Sequence, residues 1–322
     1  PYNKVISGTG SMEQKGPGTL ILSADQAYTG GTTVSGGTLQ LGNGGTTGSV
    51  KGDISNSSVV AFNRSDDYTF GAVISGTGSM EQKGPGTLIL SADQTYTGGT
   101  TVSGGTLQIG NGGTTGSVKG NILNNSAVAF NRSDNYTYGG VISGSGTMTQ
   151  NGPGTLILTG SNTYSGLTTI AAGVLQIGNG GTTGSVASDI LNNGALVFNR
   201  ADALTYDKVI SGSGSVEQKG PRELTLSGNS TYTGPTTVSA GSLILTGSLA
   251  STADTTVASG ATLQVGNGGA TGSLASNKII NDGLVAFNRA DAYTYGGVIS
   301  GSGALAQNGP GVLTLSGNST YT

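Results

Sequence analysis

Residues 73–140 read VISGTGSMEQKGPGTLILSADQTYTGGTTVSGGTLQIGNGGTTGSVKGNILNNSAVAFNRSDNYTYGG, and most of the remaining chain is further copies of this block. Its opening, V-I-S-G, returns at Val5, Val73, Val141, Val209 and Val298. F-N-R returns at Phe62, Phe130, Phe198 and Phe287, with steps of 68, 68 and 89 residues. The copies span 5–72, 73–140, 141–208, 209–297 and a partial 298–322, the fourth carrying an addition that the others lack. Residues 5–72 and 73–140 differ at nine positions, among them Ala27 against Thr95 and Asp53 against Asn121. Self-similarity at a fixed period signals a solenoid, a propeller or an array, and it takes precedence over domain counting from length.

Within a copy the hydrophobic period is two. Leu88-Ile89-Leu90 becomes Leu224-Thr225-Leu226 and Leu313-Thr314-Leu315, so the middle position accepts threonine while its neighbours stay leucine. Alternation of this kind marks a half-buried strand with the leucines inward. Leu107-Gln108-Ile109 and Val128-Ala129-Phe130 share the phase. No helical stripe appears, and the frequent glycines oppose one. Leu88, Leu107 and Val128 follow one another at nearly equal steps, and Leu156 follows after a longer one. This spacing predicts three coils of a β-solenoid per copy, the third coil longer. The interval from Leu243 to Leu263 matches the shorter steps, so the addition in the fourth copy is expected to be one extra coil. A propeller blade or a sandwich would not absorb such an insertion. The expected fold is all-β, a solenoid of about 14 coils with strands about 4.8 Å apart along its axis, forming a single segment over residues 1–322 of a longer protein.

Composition narrows the partners. Thirteen Lys and Arg against sixteen Asp and Glu give a net charge of −3, with no basic block, which argues against nucleic acid. No apolar run approaches the roughly 18 residues that a membrane helix needs, so no transmembrane segment is expected in this chain. The chain has no cysteine and no histidine, so disulfides, thiolate nucleophiles and the common metal ligands are missing.

Gly76 to Ser91, followed by Thr95-Tyr96-Thr97-Gly98-Gly99-Thr100-Thr101-Val102 and Gly105-Thr106-Leu107-Gln108, resembles the autotransporter-associated β-strand repeat, the passenger-associated transport repeat of type V secreted bacterial surface proteins. The string recurs at Gly8, Gly144, Gly212 and Gly301, and it covers about half of each full copy. In the fourth copy Arg222 and Glu223 replace the Gly-Thr of Gly86 and Thr87. The resemblance implies a right-handed parallel β-helix displayed on the bacterial surface or outside the cell. It implies export and anchoring through a C-terminal β-barrel absent from this sequence. It also implies roles in adhesion, cell–cell aggregation or biofilm formation, or in passenger folding during secretion.

The polar residues that recur invite two interpretations each. Arg64 with Asp66, Arg132 with Asp134, Arg200 with Asp202 and Arg289 with Asp291 form the best polar constellation. They are expected to be structural turn locks, the aspartate capping backbone N–H groups and the arginine bridging to it or to the next coil. The alternative is a periodic ligand or cation contact. The loop Gly110-Asn111-Gly112-Gly113-Thr114-Thr115-Gly116 lacks the Lys-Ser/Thr ending of a phosphate loop, and it predicts a tight corner with positive φ. Tyr28, Tyr96, Tyr164 and Tyr232 occupy one repeat position, where they either pack at corners or form a contact surface for carbohydrate or self-association. Ile21, Ile89 and Ile157, at outward positions, suggest lateral contact along the first half of the chain.

Catalysis would require paired carboxylates. Glu13, Glu81 and Glu217 recur only once per copy, and their position holds Thr149 and Ala306 elsewhere, so neither a catalytic site nor a cofactor or metal is assigned. The expected function is a structural, adhesive rod of a passenger, contacting a host or abiotic surface, carbohydrate or like chains. A carbohydrate-active β-helix of the polysaccharide lyase or tailspike type is the alternative, and it would need one specialised acidic groove that near-identical copies do not suggest. Ice binding would want a Thr-x-Thr ladder in every coil, whereas Thr32-Thr33, Thr100-Thr101 and Thr168-Thr169 come once per copy.

Overall fold

A computed structural model describes residues 1–321. Short strands of two to four residues follow one another throughout, separated by turns, and there is no helix among the described residues. Strands pair in parallel at regular intervals along the chain, Leu39 with Val60, Leu88 with Leu107 and Leu107 with Val128, so the chain is an all-β solenoid. The apolar positions read from the period of two explain the pairing. Leu88 and Leu90 are buried while Ile89 between them is half-buried, and Leu107 and Ile109 repeat the pattern one coil on. Each buried leucine is worth about 1.5–3 kcal/mol of transfer free energy. No single coil encloses its own apolar face, so stacking is a condition of folding.

The chain forms two compact units, one comprising residues 1–155 and 160–166 and the other residues 156–159 and 167–322. In the first unit, Leu20, Leu39, Val60 and Met80 stack in one ladder at nearly equal steps. The ladder continues through Thr100, Ile122 and Ile142. A second ladder runs Tyr68, Leu88, Leu107, Val128, Met148. A third runs Met12, Thr32, Ile54, Ile74.

These registers change the expected relation between coil and repeat. Leu107 lies on Leu88 and Val128 on Leu107, as the spacing predicts, but the residue on Val128 is Met148 and not Leu156. There is no long third coil. Three turns take the chain from Leu20 to Met80, and eight further residues bring it to Leu88, the repeat equivalent of Leu20, in a different ladder. A full copy is therefore three turns and one additional side. The second copy therefore starts in a different ladder from the first.

The second unit obeys the same rule. One ladder passes through Leu175, Leu196 and Val216 and continues through Thr236, Thr255, Ile279 and Ile299. Another holds Leu204, Leu224, Leu243, Leu263, Val285 and Leu305. Leu263 stacks directly on Leu243, so the addition in the fourth copy is one extra coil, as its length predicts.

Two groups of the expected contact surface are placed otherwise. Tyr28, Tyr96, Tyr164 and Tyr232 are at most 1% exposed and offer no ring to a partner. The phenol of a buried tyrosine needs a hydrogen-bond partner, and Thr32, Thr100 and Thr236 supply it at 2.6, 2.5 and 2.7 Å. Burial pushes the Tyr96 and Tyr232 phenols well above the ordinary tyrosine range, with the threonine bonds opposing. Ile21 and Ile89 do point outward and are half-buried, but they do not line up. Ile21 is opposite Gln40 in the ladder of Leu20, whereas Ile89 sits between Thr69 and Gln108 in the ladder of Leu88. The one-side advance per copy separates them, so no isoleucine stripe exists in this unit. Ile157 is half-buried in its own strand, Thr155–Leu158.

Candidate functional site

The best-organised polar cluster in each copy forms where the Gly-Asn-Gly-Gly loop leaves its strand. The loop begins after Thr106–Ile109, with Gly110 at φ +85° and its N–H bonded to the carbonyl of Leu90 one coil away. A side chain on Gly110 would also meet the carbonyl oxygen of Asn131 at 2.5 Å, so close backbone approach and handedness both demand glycine. The remainder of the loop is exposed up to Gly116, which returns at φ +97°.

One coil on, the strand Ala127–Phe130 ends and Arg132 turns into this loop. Its Nη1 donates to Gly116 O at 2.8 Å and its Nη2 to Thr114 O. The other edge of the guanidinium meets Asp134, with Nε to Oδ1 at 2.9 Å and Nη2 to Oδ2 at 2.8 Å. Arg64 makes the same set to Gly48, Thr46 and Asp66. Arg200 does so to Gly184, Thr182 and Asp202. Arg289 does so to Gly272, Ala270 and Asp291. The planar fork of arginine suits this two-sided task, because one edge matches a carboxylate while the other reaches carbonyls. An aromatic ring covers the guanidinium in three copies, with Tyr68, Tyr136 and Tyr293 centred 4.5, 4.8 and 4.9 Å away.

A second carboxylate joins in the first two copies. Asp25 Oδ1 is 3.3 Å from Arg64 Nη1 and accepts from Gly48 N at 3.0 Å and from the Ser49 hydroxyl at 2.8 Å. Asp93 Oδ1 is 3.6 Å from Arg132 Nη1 and accepts from Gly116 N at 3.1 Å. The arginine hydrogen bonds hold the carboxyls of Asp66, Asp134, Asp202 and Asp291 below the usual aspartate range.

The other recurring acids do not assemble. Glu13 lies in the ladder of Met12 and Glu81 in that of Val60, and the nearby hydroxyls of Ser35 and Ser103 bond to them at 2.5 and 2.8 Å. Glu217 accepts from Ser239 in the same way, at 2.6 Å. Among the described residues, no three Asp or Glu side chains are grouped as a metal site. Among the described residues no helix is long and apolar enough to cross a membrane, which says nothing of spanning strands.

Sequence reasoning passed over a second set of buried polar residues. Asn56, Asn124, Asn192 and Asn281 are fully buried. Each sends its amide N–H to a carbonyl of the next coil, at 2.9, 2.8, 2.8 and 2.9 Å, and its Oδ1 accepts the N–H two residues on. Gln82 likewise clasps the carbonyls of Gly84 and Gly86, at 2.9 and 3.0 Å. The signal was present, since an asparagine ends an apolar strand at the same place in every full copy.

The family model of the passenger-associated-transport-repeat matches residues 12–41, 80–109, 148–177, 216–245 and 305–322. Each full match covers the strands before the glycine loop, with Asp25 and Asp93 inside the first two, and the four Arg–Asp pairs lie outside the matches. Over 217 residues, 61% of the chain, the sequence is 35% identical to the adhesin BmaC autotransporter of Brucella suis biovar 1 (strain 1330). The chain spans 6% of that relative's length. No solved structure matches.

Proposed function

We propose that the chain is a segment of an autotransporter passenger, on the strength of its passenger-associated-transport-repeat matches and its likeness to an adhesin autotransporter, and that it serves as a structural, adhesive element of the bacterial surface. It holds cells to a host or abiotic surface, or to one another as in aggregates and biofilm, and its coils stack in sequence as the passenger emerges. Its role is not enzymatic. A β-barrel elsewhere in the parent protein anchors it.

The observation that supports this reading is the one-side advance from the first copy to the second. Glu13 and Glu81, equivalent by sequence, stand in different ladders, as do Ile21 and Ile89. Outward chemistry is thereby distributed over several sides and not gathered into one groove. Many weak, like contacts favour avidity over a single specialised site. The likeness to an autotransporter adhesin points the same way.

The test is display of the parent protein on cells, with and without residues 5–297. Cells carrying the segment should settle and adhere faster than cells in which it is excised but the remainder is still exported. Equal settling and adhesion, at equal surface abundance, would sink the adhesive role. Release of reducing ends from a polysaccharide by purified segment would overturn the non-enzymatic one.

A further inference from the structure

The second carboxylate beside the arginine belongs to the first two copies alone: the third has Ser161 at the position of Asp25 and Asp93, and in the fourth the inserted coil supplies a serine there. In the first two copies Asp25 bridges to Ser49 and Asp93 to Ser117 across neighbouring coils, beneath the glycine loop. In the fourth copy the coil beneath the loop is the inserted one, and the residue that pairs with Ser273 is Ser248. The carboxylate that approaches Arg64 Nη1 and Arg132 Nη1 thus has a serine in its place. Of its five N–H groups Arg289 spends four, on Gly272, Ala270 and the two oxygens of Asp291. Among the described residues Asp291 is its one ion-pair partner.

Beside this arginine an open cleft of about 520 Å³ is lined by Ser227, Asn229, Thr246, Ser248 and Thr271, together with Gly272 and Arg289. The arginine side chain is 12% exposed. Apart from Arg289 and Ala270, the cleft is lined by hydroxyls, one amide and glycine backbone, a set suited to hydroxyl-bearing ligands. We infer that this cleft binds an acidic saccharide, the ligand's carboxylate occupying at Arg289 Nη1 the position that Asp25 and Asp93 fill from within the chain in the first two copies. The hydroxyls of Ser248, Thr246 and Thr271 and the amide of Asn229 then meet the sugar hydroxyls. The first two copies are the internal model for the contact, since there the protein supplies its own carboxylate. The inference stands apart from the adhesive role, because binding by purified chain requires no cell to clump.

Calorimetric titration of the purified chain with trigalacturonate, maltotriose and sodium acetate tests it. Trigalacturonate should bind, and maltotriose and acetate should bind at least tenfold more weakly. Ser248→Asp restores the internal carboxylate, and it should weaken trigalacturonate binding roughly tenfold or more, the worth of one charge-assisted hydrogen bond. Its thermal transition checks that the fold is retained. Arg289→Gln should lose binding likewise. No heat from trigalacturonate at millimolar concentration, equal affinity for maltotriose or acetate, or a folded Ser248→Asp variant that binds as before would each overturn the site.

Discussion

Arg132 and Asp134 are two residues apart in sequence and meet through two parallel hydrogen bonds, while the far edge of the same guanidinium holds a loop that belongs to the preceding coil. One side chain thus joins a local turn to its neighbour along the stack. Arg132→Lys keeps the charge and removes the fork, so the loop carbonyls and the carboxylate can no longer be held together. The expected cost is about 1–3 kcal/mol, the worth of a hydrogen bond to a charged group plus the buried acceptors left open. Urea denaturation of the variant, read against Arg132→Lys combined with Asp134→Asn, measures it, and the double variant should cost less than the sum of the two singles.

Acid should loosen the same clusters. Arginine hydrogen bonds lower the folded-state pKa of Asp66, Asp134, Asp202 and Asp291. Their stabilisation is therefore present above the ordinary aspartate value of about 3.9 and is lost as pH falls through the lower folded values. The urea midpoint should be flat in this respect from neutral pH to about pH 5 and should drop below about pH 4. A chain with all four aspartates changed to asparagine should show a smaller drop.

Alkali acts on the buried phenols with the opposite sign. Burial raises the folded-state pKa of Tyr96, Tyr138 and Tyr232, so their contribution is intact below the free value of about 10 and is lost as pH rises past it. Ultraviolet titration should show these phenols ionising only together with loss of β-sheet circular dichroism.

Glycine content conceals two different demands. A Cβ on Gly86 would lie 2.1 Å from the carbonyl oxygen of Asp66 in the adjacent coil, whereas one on Gly113 meets nothing within 4 Å. Gly86→Ala should destabilise by about 1–3 kcal/mol through forced separation of coils. Gly113→Ala should be neutral to within about 0.5 kcal/mol, as surface changes usually are. Equal melting temperatures for the two variants would contradict the stacking of Gly86 against Asp66.

The extra coil should be removable. Excision of residues 246–265 joins Leu245 to Gly266 and recreates the Leu-Gly junction that stands at Leu41 and Gly42 in the first copy. Because each coil contacts mainly its neighbours, the shortened chain is expected to keep a cooperative thermal transition and β-sheet circular dichroism. Loss of both would mean that the insertion is no independent layer.

Much of the fold was legible because alternation and stacking are local matters. Leu88-Ile89-Leu90, with its threonine variants, showed which side chains face in, and Leu243 to Leu263 showed the length of a coil. The Arg–Asp pairs were also visible as pairs, being two residues apart. What escaped was anything decided by a partner that a side chain meets only once the chain has folded. Asn124, which ends a strand, reveals its importance only when its amide meets the carbonyl of Thr147. Tyr96, which could as well have faced a ligand, is turned inward to the hydroxyl of Thr100. Ser248 is an ordinary serine until it stands where an aspartate stood twice before.

By itself the sequence determined a strand-rich winding, a coil as long as the interval from Leu243 to Leu263, chemistry repeated once per copy and an insertion worth one layer. Only the tertiary structure decided which residue lies on which. Self-similarity compares Leu20 with Leu88, but hydrogen bonding between adjacent strands compares Val60 with Met80, and the second comparison governs folding. Inter-strand bonds form wherever the backbone comes round after a full turn, whether or not the repeat has come round with it. The repeat overshoots three turns by one side, so equivalent residues are carried from one ladder to the next.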